Sequence, residues 1–464
     1  MTRSESEPQQ TDSSARSITK VLVANRGAIA RRIVRACNEL GIASVVVYSP
    51  ADADAPYVQE ASAAYALSGL RPLESYLDQG QLMQIASTSG ADAVHPGYGF
   101  LAENAGFAQR VIDTGMTFIG PAPQWLSRMG DKVNARQMMA AQGMPTFAGS
   151  DLITDLQAAG EAAQRIGFPL VVKPSGGGGG MGMQVVEAPE QLESALAQAK
   201  AVADAAFANG DLYLERWIQR PRHIEYQILA DEHGNAMHLY ERECSVQRRH
   251  QKLIEESPAP GIDAELLREQ ARRGAEICAA LGYNNLGTLE TLYSDGDTGF
   301  LEMNTRIQVE HGVTEEVTGI DLVQQQILLA AGARLPEPVA LQGHAIEVRV
   351  YAEDAQTLMP STGVLRVFQP PQLFGVRVET GYQQGQEVSP YYDALLAKVI
   401  ATGSTREQAI GRAVVALRAF AIEGVETNTA LLLRVLADDA FLRGDIDTGI
   451  VERILRTGRR IPAL

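Results

Sequence analysis

Glu302, Asn304, Arg306, Gln308 and Glu310 fall at every second position of the stretch from Phe300 to His311. An extended chain would point all five polar groups one way and Met303, Ile307 and Val309 the other. Two carboxylates, an amide and a guanidinium on one line suit a divalent cation held by hard oxygen ligands, beside an anion gripped by a planar fork. Alternation alone also fits a half-buried strand whose polar face meets water. A further carboxylate reaches the same place: Thr288 to Leu292 reads as a strand across a turn from Phe300 to Glu302, which puts Glu290 near Glu302. Adjacent strands lie about 4.8 Å apart, so these carboxylates could share one or two cations.

A second chemical signal is Lys173-Pro174-Ser175 followed by Gly176 to Gly182, where six of seven residues are glycine. Each glycine costs about 0.5–1 kcal/mol of backbone entropy relative to alanine, so packing does not explain the run. A flexible linker would be Ser- or Pro-rich and would not interrupt two apolar strands, here Leu170-Val171-Val172 and Met183 to Val186. A glycine hairpin between strands can bring bare amides against phosphate oxygens, with Lys173 as the charge at its base. No Gly-Lys-Ser/Thr closes it, so it is not a Walker A loop. The densest basic patch runs from Glu241 to Lys252 and is open to reading as a solvated charged loop; His95-Pro96-Gly97-Tyr98-Gly99-Phe100, taken alone, is a turn just past a strand's carboxyl end.

The elements that must position these groups follow from periodicity. Val21 to Ala24 reads as a buried strand, followed by a helix with Ile29, Ile33, Ala36, Cys37 and Leu40 on one face and Gly41 as its stop. Strands at Ser44–Tyr48, Ala91–His95 and Thr117–Ile119 continue the alternation and imply a parallel sheet covered by helices. Asn25-Arg26-Gly27 lacks a dinucleotide fingerprint. A helical pattern around Trp125 to Met138 ends at Gly143 and Pro145. Further strands are expected at Asp211–Glu215, Arg222–Ile228 and Met237–Tyr240, a helix at Leu266–Leu281, antiparallel segments at Ala345–Tyr351 and Val364–Val378, and helices at Arg406–Ala421 and Thr427–Leu436.

At 464 residues the chain has room for roughly three domains. Forty basic against 56 acidic residues give a net charge of -16, which repels polyanions and argues against a nucleic-acid partner. Cys37, Cys244 and Cys278 are few, odd in number and far apart, which points to a reducing, cytoplasmic compartment. Residues 1–17 have neither signal-peptide nor transit-peptide character and read as a disordered tail. No apolar run approaches the roughly 20 residues needed to span a bilayer, so no membrane is expected.

Ala24-Asn25-Arg26-Gly27, His95 to Phe100, Met129-Gly130-Asp131-Lys132, the glycine run, Glu241-Arg242 with Cys244-Ser245, Gln247 to Lys252 and Glu302 to His311 occur in an order and spacing that resembles biotin carboxylase, an ATP-grasp enzyme, from Val21 to about Leu455. The resemblance implies a mixed α/β and α+β architecture: a Rossmann-like parallel-sheet domain at 18–130, an ATP-grasp domain at 131–343 with a mobile lid at about 146–217, and a mixed C-terminal domain at 344–455. The reaction it implies is phosphorylation of bicarbonate by ATP to carboxyphosphate, followed by carboxylation of a biotin ureido nitrogen. This would be the first half-reaction of acetyl-CoA carboxylase or a related acyl-CoA carboxylase. By resemblance, Lys132, Lys173, Gly179, Gly180, Glu215, Arg216, Trp217, Ile218, His223, Gln247 and His250 would hold ATP, with Glu290 and Glu302. Glu290, Glu302 and Asn304 would hold two magnesium or manganese ions. Lys252, Arg306, Gln308 and Val309 would hold bicarbonate, Glu310 would take its proton, and Arg349 and Tyr98 would meet biotin, with Arg306 helping to hold the charge that develops on it. Cys244 is expected to pack and not to react.

Other expectations follow from the same likeness. Biotin would arrive on a separate carboxyl carrier protein, because no Met-Lys-Met tripeptide occurs in the chain, and a carboxyltransferase would use the product. A homodimer is expected. The chain departs from the family pattern at Met181, where Lys or Arg is usual, at Ala28 in place of Glu, and at Gly312 in place of Pro. Two rival functions are an ATP-grasp ligase that passes an acyl phosphate to an amine, and a regulatory paralogue without turnover. Bicarbonate-dependent phosphate release, with and without biotin, separates them.

Overall fold

The computed structural model describes residues 16–176, 180–207, 210–354, 357 and 359–456. Gly179 and residues 1–15 of the expected tail lie outside these, while Arg16 is placed by its backbone N–H, which donates to the Ala331 carbonyl at 2.9 Å.

Short runs of Val, Leu and Ala make the first sheet. Strands β1 (Lys20–Val23), β2 (Ala43–Tyr48), β3 (Ala63–Ala66), β4 (Ala93–His95) and β5 (Thr117–Phe118) pair in parallel in the order β3-β2-β1-β4-β5. Helices α1 (Gly27–Glu39), α2 (Pro56–Glu60), α3 (Gln79–Ser89) and α4 (Ala105–Asp113) connect them, as the alternation of strand and helix requires. The single helix expected from Trp125 to Met138 is two, α5 (Pro123–Gly130) and α6 (Lys132–Ala141). Asp131 breaks it: its backbone is extended, and its carboxylate caps α6 by accepting from the Val133 and Asn134 amides at 3.1 Å each.

A three-stranded antiparallel sheet follows, β7-β6-β8, made of β6 (Leu170–Pro174), β7 (Gln184–Val186) and β8 (Leu212–Arg216), covered by α7 (Leu156–Ile166) and α8 (Leu192–Phe207). The glycine run therefore joins two paired strands.

The largest sheet has eight antiparallel strands in the order β13-β12-β9-β10-β11-β14-β19-β17. These are β9 (Arg222–Ala230), β10 (Ala236–Arg248), β11 (Gln251–Ser257), β12 (Asn285–Ser294), β13 (Asp297–Asn304), β14 (His344–Tyr351), β17 (Val376–Thr380) and β19 (Leu395–Gly403). The two-residue and three-residue pairs β15 (Gly363–Val364) with β18 (Glu387–Val388) and β16 (Val367–Gln369) with β20 (Ala421–Glu423) lie beside it. The antiparallel segment expected from Val364 to Val378 is made of three short strands, each paired antiparallel with a different partner. Helices α9 (Ala264–Leu281), α10 (His311–Thr318), α11 (Leu322–Ala330), α12 (Arg406–Ala419), α13 (Thr429–Leu436), α14 (Asp439–Arg443) and α15 (Ile450–Arg456) complete the described chain. Strand pairing runs on across the expected boundary at 343–344, since β11 pairs with β14.

One open reading and one expectation are resolved. The segment from Glu241 to Lys252, left open as a solvated charged loop, is instead the buried body of β10 and β11, with Arg249 and His250 exposed at the hairpin tip. Strand β13 ends at Asn304, so the alternation from Glu302 to Glu310 stops two positions in. Residues 305–310 leave the sheet and lead into α10.

Candidate functional site

Register across four strands lines up the charges. Arg242 on β10 pairs with Glu225 on β9, Glu225 with Glu290 on β12, and Glu290 with Glu302 on β13. Like charges directly opposite one another are destabilising, so three carboxylates in a row demand cations. The fold supplies them from elsewhere. Lys252 on β11 places Nζ 2.7 Å from Glu310 Oε1 and 3.3 Å from Glu290 Oε1, and donates to Glu225 as well. His223 Nε2 lies 2.9 Å from Glu290 Oε2, and Lys132 pairs with Glu302. Burial alone would raise the Glu290 carboxyl, but Lys252 and His223 hold it well below the ordinary carboxylate range. Burial opposes charge on Lys252 too, and its carboxylate partners overturn that, raising it well above an ordinary lysine.

The loop after β13 delivers the rest. Gln308 Nε2 donates to Glu290 Oε1 at 2.7 Å, and Arg242 donates to the Gln308 amide oxygen. Arg306 Nε donates to Glu103 Oε2 at 2.9 Å and its Nη2 to Asn304 Oδ1, so this guanidinium sits between the N-terminal part and β13. Glu310, 2% exposed, is gripped from both sides: Lys252 on Oε1, and Arg349 Nη2 3.0 Å from Oε2. Burial would raise its carboxyl; Lys252, with Arg349 and Arg242, outweighs both that and the repulsion from Glu225 and brings it down to about 2.

These groups line a cleft of about 610 Å³ that also has an apolar wall, made by Phe147, Val171, Trp217, Ile218, Leu292 and Leu301. Lys132 and Lys173 project into it, Lys173 paired with Glu215. The hairpin presses close. Gly180 has φ +71°, and a β-carbon there would come within 2.4 Å of the His250 ring. Only glycine fits against that hairpin tip.

Every described residue expected at the site lines this cleft except Tyr98. Tyr98 is held in the N-terminal part, where Asn25 Nδ2 donates to its carbonyl at 2.8 Å, although its phenol feels the charges of Asp393, Glu379 and Arg349. Cys244 is fully buried, and burial pushes its thiol well above the ordinary range, as packing requires. Met181, 54% exposed, lines the cleft; Ala28 lies away from it, in a hollow with Arg31, Arg35 and Glu379. At Gly312 a β-carbon would meet Ile400 Cδ1 at 2.4 Å, so Ile400 has taken the space a proline would need.

Sequence reasoning missed Glu225, Arg242, Glu103, Glu255 and Glu347. Glu225 had a signal, since His223, Glu225 and Gln227 alternate along β9. Glu255 and Glu347 face each other across β11 and β14, both fully buried, with Arg349 Nη2 2.5 Å from Glu255 Oε1. Burial, with repulsion from Glu347 and Glu310, pushes Glu255 up to about 8, and burial, with repulsion from Glu379 and Glu310, pushes Glu347 to about 7, against the pull of Arg349 on both and of Lys398 on Glu347. The folded state then binds more protons than the unfolded chain between an ordinary value of about 4.3 and these raised values, so stability falls as pH rises through that window. Glu255→Gln is expected to flatten the fall. Urea midpoints of parent and variant at pH 5.5 and pH 8 test it, and an equal fall in both would contradict the raised Glu255 carboxyl.

The donor set fits a hard divalent cation. Glu290 and Glu302 are cross-strand partners, and Asn304, whose Nδ2 donates to Glu290 Oε1 at 3.0 Å, stands two positions along the same strand edge. Among the described residues, a neighbouring cluster of potential ligands, His223, Glu225 and Glu290, shares only Glu290 with that set.

A glycine hairpin and paired lysines over an antiparallel sheet that carries in-register carboxylates define an ATP-grasp ligase. Comparison with known proteins narrows the class. Residues 17–126 match the biotin carboxylase N-terminal domain, 131–338 the carbamoyl-phosphate synthase L chain ATP-binding domain, and 347–453 the biotin carboxylase C-terminal domain. The chain is 47% identical over 442 residues to biotin carboxylase 2 of Bacillus subtilis, covering 94% of this chain and 100% of that one. It superposes with a TM-score of 0.92 on a biotin carboxylase–ATP complex from Campylobacter jejuni, 40% identical, covering 94% of this chain and 99% of that one. The same score relates it to the biotin carboxylase domain dimer of the Hydrogenobacter thermophilus 2-oxoglutarate carboxylase with MgADP, ADP and bicarbonate, 41% identical, covering 96% and 99%. The chain belongs to the biotin carboxylase family. Among the described residues no helix is long and apolar enough to cross a membrane.

Proposed function

We propose that the chain uses ATP to carboxylate biotin with bicarbonate. The observation that carries this is Glu310 clamped between Lys252 and Arg349 in the same cleft of about 610 Å³ that Lys132, Lys173 and the apolar wall line. Glycine amides, Lys132, Lys173 and His250 take the phosphates, and the apolar wall beside Glu215 to Ile218 takes the purine. Mg2+ or Mn2+, as two ions on Glu290, Glu302 and Asn304, would neutralise phosphate charge and align the phosphoryl group. Lys252, Arg306, Gln308 and the Val309 backbone hold bicarbonate while Glu310 removes its proton, and the freed oxygen attacks the γ-phosphorus to form carboxyphosphate. Carboxyphosphate splits into carbon dioxide and phosphate, the phosphate takes the ureido N–H proton, and the nitrogen adds to carbon dioxide, with Arg349 stabilising the charge on the ureido oxygen and Tyr98 covering the ring. Phosphate release that requires bicarbonate and rises with biotin supports this reading. Bicarbonate-independent ATP turnover, or none at all, overturns it. Arg349 argues against an amine acceptor, which would need no cation for an enolate-like charge.

In this reading the working units are residues 18–130, 131–343 with a lid at about 146–217, and 344–455. Biotin is presented by a separate carrier protein, a carboxyltransferase uses the carboxybiotin, and the chain pairs as a homodimer, for which the dimeric Hydrogenobacter relative is the support. Its three cysteines, all free and buried, suit the cytoplasm.

Met181 bears on the lid. A cation at the hairpin tip favours closure over ATP, and a charge-assisted hydrogen bond contributes about 1.5–3 kcal/mol, or roughly ten- to a hundredfold in affinity. Met181→Arg is therefore expected to lower the KM for ATP by that factor, with the KM for bicarbonate little changed. An unchanged ATP constant means that Arg249 or Arg216, which also line the cleft, already supplies the charge.

A further inference from the structure

Lys398 lies on β19, next to the edge strand β17 of the eight-stranded sheet, its side chain 1% exposed. On β19 it stands opposite Arg349 of β14 and Glu379 of β17. Its Nζ is 2.9 Å from Glu379 Oε2 and 3.4 Å from Glu347 Oε2, and it also donates to the backbone carbonyl of Val309. Charge balance does not account for that third contact. Glu379 already has Arg35 at 3.2 Å, Arg32 at 3.6 Å and Arg377, and Glu347 lies two positions from Arg349.

The contact falls where the loop must be stiff. A trans peptide points its C=O and the following N–H in opposite directions. Holding the Val309 carbonyl therefore orients the Glu310 N–H and sets where the Glu310 Cα begins. One peptide earlier, His311 Nδ1 lies 2.8 Å from the Gln308 carbonyl, which orients the Val309 N–H in the same way. Two carbonyls in succession are thus tied to side chains outside the strand ladder, immediately before the first turn of α10.

We propose that Lys398 is a positioning residue for the carboxylation: by gripping the Val309 carbonyl it fixes the Val309–Glu310 peptide plane, and with it the backbone that meets bicarbonate and the carboxylate that takes its proton. The inference rests on the function proposed above. It places a determinant of bicarbonate binding on the C-terminal segment, one strand beyond Arg349 and outside the cleft lining.

The test is the split between the two substrates. Lys398→Met is expected to raise the KM for bicarbonate at least about tenfold, the usual worth of a hydrogen bond from a charged donor, while the KM for ATP stays within about twofold. Lys398→Arg keeps the charge facing Glu347 and Glu379 but moves the donor atoms. It is expected to shift the same constant in the same direction, and it carries the test if the methionine variant does not fold. Glu379→Gln alters the same ionic cluster without touching the loop, and should leave the bicarbonate constant within about twofold even if thermal stability drops. Equal shifts in both substrate constants, or a bicarbonate shift in Glu379→Gln as large as in the Lys398 variants, reduce Lys398 to a packing role and overturn the inference. A parent protein with no bicarbonate-dependent ATP turnover would instead overturn the functional reading.

Discussion

Replacing Glu310 with glutamine is expected to cut biotin carboxylation by about 10²- to 10⁴-fold, the usual loss when a general base is removed, with nucleotide binding intact. The amide fills the same space but cannot accept the bicarbonate proton. The charged contacts of Glu310 are with Lys252 and Arg349, so a neutral isostere there is expected to leave nucleotide binding unchanged. The resting carboxylate, held at about 2, is a poor base. In the proposed reading, contacts of bicarbonate with Lys252 and of biotin with Arg349 would weaken their hold on Glu310 and let burial raise the carboxyl again. Calorimetric titration with ADP and a carboxylation assay on the same preparation decide the matter. If turnover in the variant stays within about threefold of the parent, the base is another group.

How far such a site can be read from residues alone depends on whether its partners are local. Glu290 opposite Glu302 was legible because a turn joins their strands, and so was the glycine hairpin, whose flanking runs pair directly. The break at Asp131 left a readable trace, an acidic residue before two helical residues whose amides it caps. The segment from Glu241 to Lys252 misled for a physical reason. Its charge density resembles a solvated loop, yet its buried cations are matched by residues distant in sequence: Arg242 by Glu225, Arg248 by Glu353 at 2.8 Å, and Lys252 by Glu310. Burial of a charge is decided by such partners, which no local pattern reveals. The run from Glu302 to Glu310 misled differently. Its alternation was real only to Asn304, and what carries Gln308 and Glu310 back into the cleft is a turn pinned by Arg306, His311 and Lys398.

The larger effect on the whole molecule is expected from Lys252→Met. Lys252 is the shared partner of Glu225, Glu290 and Glu310, none more than 5% exposed. Removing one partner of a buried ion pair typically costs about 3–5 kcal/mol, because the charge left behind is uncompensated. Here three carboxylates are left facing one another, with Arg242, His223 and Arg349 as the nearby cations. The variant should therefore unfold at markedly lower urea. It should also lose about 10²- to 10³-fold in kcat/KM for bicarbonate, the usual cost of deleting a preorganised donor to a developing anion. Stability and catalysis can be separated with a second change. Glu225→Gln in the Lys252→Met background removes one of the stranded charges while keeping an amide for Arg242 and Gln308, so it should restore part of the lost stability and none of the activity. If activity returned along with stability, Lys252 would be acting as a structural counter-ion alone, and the contact to bicarbonate would have to come from Arg306. If neither returned, the destabilisation would lie at Glu290 and Glu310, and the corresponding Glu290→Gln double variant would show it.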